Sequence, residues 1–422
     1  MDKIVIKGGG KLSGSVKISG AKNSALPILF STLLVEGKHT IKNLPDLADV
    51  NFSLKILEEL GATYSFDKAN ATAEIIIPKE LEPVATYDLV RKMRASILVL
   101  GPLLARFGHA KVSLPGGCAI GTRPIDLHLK ALEQLGAEIT VEEGYVSAVC
   151  KKLQGTKIFF AKPTVGGTEN LLMAAALTKG TTVLENSARE PEIVDLGNYL
   201  SKMGVKIEGL GTSTITIVGA EALKAPESHD IISDRIEAGT FICAALMAKS
   251  NVKVENMNPE HLTAFLEVLR DTGAKFNVLE RCVEVLGEET GSLRPVNVKT
   301  APHPGFPTDL QAQLMTLLTQ ADGVSLIEED IFENRFMHVQ ELARLGAKIK
   351  TDSKRAQVFG PSKLTGAPVM ATDLRASASL VVAGLIAEGT TEVNRIYHLD
   401  RGYERIEEKI SGLGGSLQRV KA

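Results

Sequence analysis

The sequence predicts an α/β protein of two domains, each closed from three copies of one repeating unit. Length is the first observation: 422 residues, 44% of them apolar, are too many for one ordinary core and enough for two. The second is a helix-ending signature that recurs as EELGAT, EQLGAE, SKMGVK, RDTGAK, ARLGAK and SGLGGS. Its glycines, Gly61, Gly136, Gly204, Gly273, Gly346 and Gly414, lie 68 to 75 residues apart. The third is an imbalance between the chain's ends. The sixth unit runs out after SLQRV without its final strands, whereas the N-terminus carries two spare ones, KIVIKG and SVKIS.

Each unit opens with an apolar helix: NSALPILFSTLL, RASILVLGPLLA, GTENLLMAAALT, RIEAGTFICAALM, DLQAQLMTLLTQ and DLRASASLVVAGLIA. A short strand follows, such as TIKNLP, KVSLPG, TVLENS or TEVNRI. Next comes an amphipathic helix, as in RPIDLHLKALEQLGA, where Ile125, Leu129 and Leu132 share one face. The recurrent glycine stands where the helix end needs a left-handed residue, and one or two strands such as EITVEE or TITIVG close the unit. Six such units fit an open solenoid or two closed threefold domains. The spare strands favour closure: if both complete unit six, the chain's ends meet in one domain. Residues 22–232 then form one domain, and residues 1–21 with 233–422 the other. Crossings near Gly20–Lys22 and Ser228–Asp234 would join them.

A net charge of −2 gives no support to a nucleic-acid partner, so any anion site has to be a local cluster of Arg and Lys. No apolar run is long enough to cross a membrane. The start, MDKIVIKGGG, reads as a strand and glycines rather than as a signal peptide. Cys118, Cys150, Cys243 and Cys282 form no CxxC pair and have no histidine at metal-ligand spacing. A cytoplasmic protein with free thiols and neither metal nor cofactor is the expectation.

Helix N-termini attract anions through unpaired amides and the macrodipole. Lys22, Arg94, Arg123, Arg335, Arg375 and Arg401 all stand at or just before expected first turns, where a basic residue is unfavourable on an ordinary surface helix. Their recurrence points to ligand phosphate or carboxylate. Solvated charge, or pairing with neighbours such as Asp373 and Asp400, is the structural alternative. Removing such a charge is expected to leave folding unharmed or improved, because crowded like charges repel.

In SLPGGCAIGTRP, glycines surround Cys118 a few residues from Arg123. A thiol beside cations has a lowered pKa and makes a better acid at neutral pH; the alternative is a bystander thiol. Cys243 inside FICAALM reads as core, and Cys150 and Cys282 as residues in or beside strands. Asp309, after the three prolines of APHPGFPTDLQAQL, is either an N-cap or a carboxylate facing cations and able to take a proton from a hydroxyl. Glu190 and Asp234 are weaker candidates of the same kind.

At SGAKNSALPILF, VRKMRASI, LPGGCAIGTRPIDLHL, NSAREPEIVD, PHPGFPTDLQAQ, FENRFMHVQEL, MATDLRASASLV and IYHLDRGYERIEEK the chain resembles the enolpyruvyl transferase family over essentially its whole length. It is most similar to members whose acceptor is UDP-N-acetylglucosamine. The resemblance implies two inside-out α/β domains, each pseudo-threefold, facing across a cleft. It implies phosphoenolpyruvate and UDP-N-acetylglucosamine as substrates, in the first committed step of peptidoglycan precursor synthesis. Lys22, Arg123 and Arg401 would hold the phosphate and carboxylate of phosphoenolpyruvate. Asn23 and Asp309 would contact the attacking sugar hydroxyl, and Arg94 would join the ligand-binding ring. Arg123, Pro124, Ile125, Asp126 and Leu127 would frame the uridine. Lys162, Pro163, Thr164, Val165 and Gly166 would present backbone amides to the diphosphate. Ile331 would contact the nucleotide-sugar, with Arg335 and Arg375 in support. Cys118 would be the loop acid and the residue alkylated by fosfomycin. Thr164 departs from the serine expected there but keeps the hydroxyl.

The reaction so implied is addition then elimination without a cofactor. Cys118 protonates the methylene carbon of phosphoenolpyruvate, or assists in it. The sugar 3-hydroxyl, losing its proton to Asp309, attacks the adjacent carbon, and the tetrahedral ketal expels phosphate. A shikimate-pathway enolpyruvyl transferase is the nearest rival; the Cys118 loop and KPTVG speak against it. An RNA-terminal phosphate cyclase would need a nucleotidyl-accepting histidine and a basic RNA face. A silent paralogue that only binds the sugar nucleotide would not need the full set of matched catalytic positions.

Overall fold

The computed structural model describes residues 2–86, 93–114 and 125–421. Cys118, Arg123 and Pro124, together with the side chain of Arg94, lie outside the described residues. The chain divides into two compact units. One holds residues 2–19 and 233–421, the other the described residues from 20 to 232.

In the unit of residues 20–232, three strongly buried helices, Lys22–Ser31, Leu100–Phe107 and Val165–Ala175, begin the three repeats. Each repeat builds a four-stranded sheet from three strands of its own and one borrowed edge strand. Val84–Ala85, which follows the first repeat, pairs in parallel with His109–Ser113 of the second. Lys157–Phe159 passes from the second repeat to Thr181–Glu185 of the third in the same way. His229–Asp230, after the third, pairs with Gly37–Lys42 of the first, and the ring closes.

The other unit repeats this pattern. Asn297–Lys299 joins Gly323–Glu328, and Pro368–Met370 joins Thr390–Asn394. Here the expectation that both N-terminal strands complete the sixth repeat is corrected. Asp2–Lys7 does so, lying between Thr390–Asn394 and Ser416–Lys421. Gly14–Lys17 instead pairs with Asn251–Glu255 of the fourth repeat. The reason is the handing-on rule: every repeat passes its trailing strand to the next, and in this ring the repeat after the sixth is the fourth. Closed rings replace the open solenoid.

Burial explains why helices occupy the middle. Arg235–Met247 and Gln311–Leu318 are buried at every position, as expected of helices that are apolar almost all round. The strands alternate instead, as in Asn251–Glu255, so each sheet keeps one face in water. This is the inside-out arrangement. The recurrent glycines all take the left-handed conformation, with φ between 85° and 111°, and let each second helix stop and turn into its strand. Cys243 lies wholly in the core, and burial pushes its thiol pKa up. Among the described residues, no helix is long and apolar enough to cross a membrane.

Each unit also buries a neutral histidine. His39 Nδ1 meets the Tyr199 hydroxyl at 2.6 Å and Nε2 meets the Val35 carbonyl at 3.2 Å. Burial lowers the pKa of His39, and likewise of His338, from 6.5 to about 4. An unfolded chain takes up these protons near pH 6.5, the folded one only near 4. Stability is therefore intact above pH 6.5 and falls as pH drops towards 4, by about 2 kcal/mol per histidine at pH 5. Urea midpoints at pH 7.5 and 5.0 test this. His39→Gln should flatten the dependence; an equally steep fall in that variant would reject the assignment.

Candidate active site

In the unit of residues 20–232, Lys22 is the first residue of its helix, and the preceding Ala21 offers no capping side chain. Lys22 is buried, with Nζ 3.2 Å from Oδ2 of Asp49 on the helix Ala48–Glu59. Two residues on, the Ser24 hydroxyl donates to Oδ2 of Asp195. That oxygen also accepts the Ile232 N–H at 3.2 Å, while Oδ1 meets His229 Nε2 at 2.9 Å. Buried Asp195 thus fixes the corner that carries Lys22 and half-buried Asn23.

Lys162 and Pro163 are exposed and lead into the helix Val165–Ala175. Thr164 is its N-cap, its hydroxyl accepting the Gly167 N–H at 3.3 Å, which accounts for the hydroxyl kept at this position. A Cβ on Gly166 would come 3.0 Å from His128 Cε1, so glycine lets this first turn rest on the helix Asp126–Gln134. The contact brings KPTVG beside Ile125, Asp126 and Leu127. Asn170 secures it: its amide nitrogen lies 3.2 Å from His128 Nδ1 and donates to Ile97 O at 3.2 Å, while Oδ1 accepts the Gly101 N–H at 2.7 Å.

In the other unit, Asp309 is not an N-cap. The 3-10 turn Thr308–Leu310 is preceded by Pro307, and the Asp309 carboxylate turns to two guanidiniums. Oδ1 accepts from Arg335 Nη2 at 2.9 Å, and Oδ2 from Arg375 Nε at 3.2 Å. Both arginines are only 3% exposed. Burial alone would lower the Arg375 pKa, but Asp309, Tyr403 and Asp234 outweigh it and raise it. The Arg375 guanidinium also stands 5.5 Å from the Tyr403 ring centroid. Tyr403 is held by Thr240 at 3.0 Å and Gln313 at 2.9 Å, all three buried.

The other acids singled out in the sequence have hydrogen-bond partners of their own. Asp373 caps the helix Leu374–Gly384 through the Arg375 and Ala376 amides, at 3.0 and 3.1 Å. Asp400 takes two bonds from Arg419, at 3.1 and 2.6 Å. Asp234 caps Arg235–Met247, accepting the Ile236 N–H at 2.8 Å and the Glu237 N–H at 3.1 Å. Glu190 accepts the Arg189 N–H at 2.9 Å.

The helix-start placement of the basic residues needs correcting in part. Lys22 and Arg375 stand in first turns, and Arg94 heads the 3-10 helix Arg94–Val99. Arg335 precedes the helix His338–Arg344 by three residues. Arg401 ends the 3-10 helix Ile396–Arg401 rather than starting a helix. The Gly402 turn delays the next helix to Ile406. Half-buried His398 registers the local charge. Burial first, then Arg395 and Arg401, lower its pKa.

Sequence reasoning missed Asp49, Asp195, Asn170, Tyr403 and Gln313, which hold the predicted residues in place. One signal was available: Gln311 and Gln313 interrupt an otherwise apolar helix, and both are wholly buried.

A family model described as EPSP synthase (3-phosphoshikimate 1-carboxyvinyltransferase) matches residues 6–410. A protein of Geobacter metallireducens named UDP-N-acetylglucosamine 1-carboxyvinyltransferase is 56% identical over 421 residues, covering all of both chains. One of the same name from Thermodesulfovibrio yellowstonii is 54% identical over 421 residues, again covering all of both. The crystal structure of the enolpyruvyl transferase NikO from Streptomyces tendae superposes with a TM-score of 0.90 at 28% identity, over 100% of this chain and 99% of that one. EPSP synthase from Acinetobacter baumannii shares the fold, with a TM-score of 0.78 over the whole of both chains at 17% identity. With full-length relatives, matched fold and matched family in agreement, the chain belongs to the EPSP synthase family of enolpyruvyl transferases.

Proposed function

We propose that the chain transfers the enolpyruvyl group of phosphoenolpyruvate to the 3-hydroxyl of UDP-N-acetylglucosamine and releases phosphate, a step in cytoplasmic peptidoglycan precursor synthesis that cell shape and division depend on. Full-length identity to relatives of that name supports the choice of acceptor. The observation that carries the chemistry is Asp309, each of whose oxygens meets a different buried guanidinium. Held between them, Asp309 orients the sugar hydroxyl and takes its proton as the new C–O bond forms.

Lys22, Arg123 and Arg401 bind the phosphate and carboxylate of phosphoenolpyruvate, and Arg94 adds to that charge. Asn23 meets the sugar hydroxyl, while Pro124 to Leu127, KPTVG and Ile331 receive the nucleotide-sugar. Cys118 delivers a proton to the methylene carbon and is the atom that fosfomycin alkylates. Attack at the neighbouring carbon gives a tetrahedral phosphate ketal. Loss of phosphate, and of a proton from the methyl group formed by that protonation, restores the double bond. The fixed cations stabilise the negative charge of the intermediate.

The test is phosphate release from phosphoenolpyruvate with each of two acceptors. Turnover is expected with UDP-N-acetylglucosamine and not with 3-phosphoshikimate; the reverse would overturn the reading. In the same assay Cys118→Ser should lose most turnover, because a hydroxyl is far less acidic than a thiol. Cys118→Asp should keep activity with its optimum at lower pH, and should resist fosfomycin. Full activity in Cys118→Ser would remove the thiol from the proton path.

A further inference from the structure

We infer that Glu329 is a positioning residue, a buried carboxylate that clamps the turn carrying Asp309 to the loop carrying Ile331. This rests on the proposed roles of those two residues. Glu329 is the residue after the strand Gly323–Glu328 and is 2% exposed. Its Oε1 accepts the Ile331 N–H at 2.8 Å, the Phe332 N–H at 3.1 Å and the Thr300 hydroxyl at 3.0 Å. Its Oε2 accepts the Thr308 hydroxyl at 2.8 Å. Thr308 opens the turn in which Asp309 is the second residue. Thr300 completes the ring by accepting the Asp330 N–H at 3.1 Å.

The chemistry of the position calls for a carboxylate. All its partners are donors, and an ionised carboxyl is the side chain that only accepts and has about four lone-pair sites. The neighbouring acids serve differently. Glu328 and Asp330 both reach Lys299, at 2.9 and 2.6 Å, on the more exposed side. Among the described residues, no lysine or arginine forms an ion pair with Glu329. Its charge is met by hydrogen-bond donors alone, and charge-assisted bonds of this kind are the strong ones. One oxygen governs the loop and the other the turn, so the two halves can be tested apart.

Glu329→Gln keeps the oxygen that faces the loop but removes its charge, so the bonds from Ile331 and Phe332 weaken together, while the new amide faces Thr308, whose hydroxyl can turn to accept. The loop should loosen more than the turn. Thr308→Val cuts only the link to the turn. Hydrogen exchange on the full-length protein is the first readout, independent of activity. Peptides spanning Ile331 and Phe332 should exchange faster in Glu329→Gln, with the rest of the chain unchanged. Unaltered exchange there overturns the clamp, whatever the enzyme's substrate. Steady-state kinetics then separate the halves. Glu329→Gln should raise KM for UDP-N-acetylglucosamine about tenfold and leave KM for phosphoenolpyruvate within twofold. Thr308→Val should lower kcat and leave the nucleotide-sugar KM near wild type. Glu329→Asp, which keeps the charge, should recover part of the KM loss. Equal changes in both KM values, or a fall in rate that only follows the folded fraction, overturn the positioning role. A wild-type protein inactive towards UDP-N-acetylglucosamine would refute the proposed activity instead, and the exchange result would still decide the clamp.

Discussion

Lys22→Ala is expected to lower kcat/KM about 30- to 1,000-fold, the equivalent of ~2–4 kcal/mol of lost transition-state stabilisation. The loss should appear in kcat as well as in KM, because negative charge builds on the phosphate as its C–O bond breaks and the lysine meets that charge most strongly then. The folding consequence differs from what sequence alone suggests. Crowded cations repel, and on that ground removing one should do no harm. Here, however, Lys22 lies 3.2 Å from Asp49, with the two side chains 11% and 7% exposed. Truncating the lysine takes a charge-assisted partner from a buried carboxylate, a change that costs about 1–3 kcal/mol of stability. Pairing the truncation with Asp49→Asn separates the two effects. The double variant should regain thermal stability and stay inactive. If activity returned with stability, Lys22 would be a structural residue and would leave the proposed site.

The repeat was legible because it is written in backbone requirements. A left-handed residue after each second helix has to be glycine, and a helix buried on all sides has to be apolar, so both leave marks at a fixed period. The destination of the second N-terminal strand was not legible. SVKIS carries the alternation of a strand, but nothing in it states which sheet edge it meets; that follows only from ring closure. Among the candidate residues, Asp309, Lys22 and Arg375 stood out because charge beside an apolar helix is costly and therefore conspicuous. Their supports did not. Asp49, Asp195 and Glu329 sit in ordinary polar stretches, and only folding brings them to Lys22, to Ser24 and to Thr308. Arg401 was misplaced for a related reason: LDRGYER resembles a helix start, but the chain turns at Gly402 and the helix begins only at Ile406.

Removing residues 2–17 is expected to leave the unit of residues 233–421 unable to fold, and the protein insoluble. Asp2–Lys7 is an inner strand, registered against both Thr390–Asn394 and Ser416–Lys421, so its loss frees two strand edges in one sheet. Losing Gly14–Lys17 exposes the edge of Asn251–Glu255 as well. Unpaired edges of this kind recruit other chains. The apolar loss is comparable with a whole domain's stability. Ile4 and Ile6 are 0% exposed and Val16 is 4% exposed. At about 1.5–3 kcal/mol for each such side chain, burial of the three contributes on the order of 5–9 kcal/mol, against a typical 5–15 kcal/mol for a folded protein. Residues 20–232 lose none of their own strands, because His229–Asp230 closes their ring from within. Expressed alone, that segment should be soluble and unfold cooperatively. The truncated chain should sediment as aggregate, and residues 1–19 supplied as a separate peptide during refolding should recover soluble protein. A truncated chain that stays soluble and melts as the full chain does would show that these strands are dispensable, and that the ring can close without them.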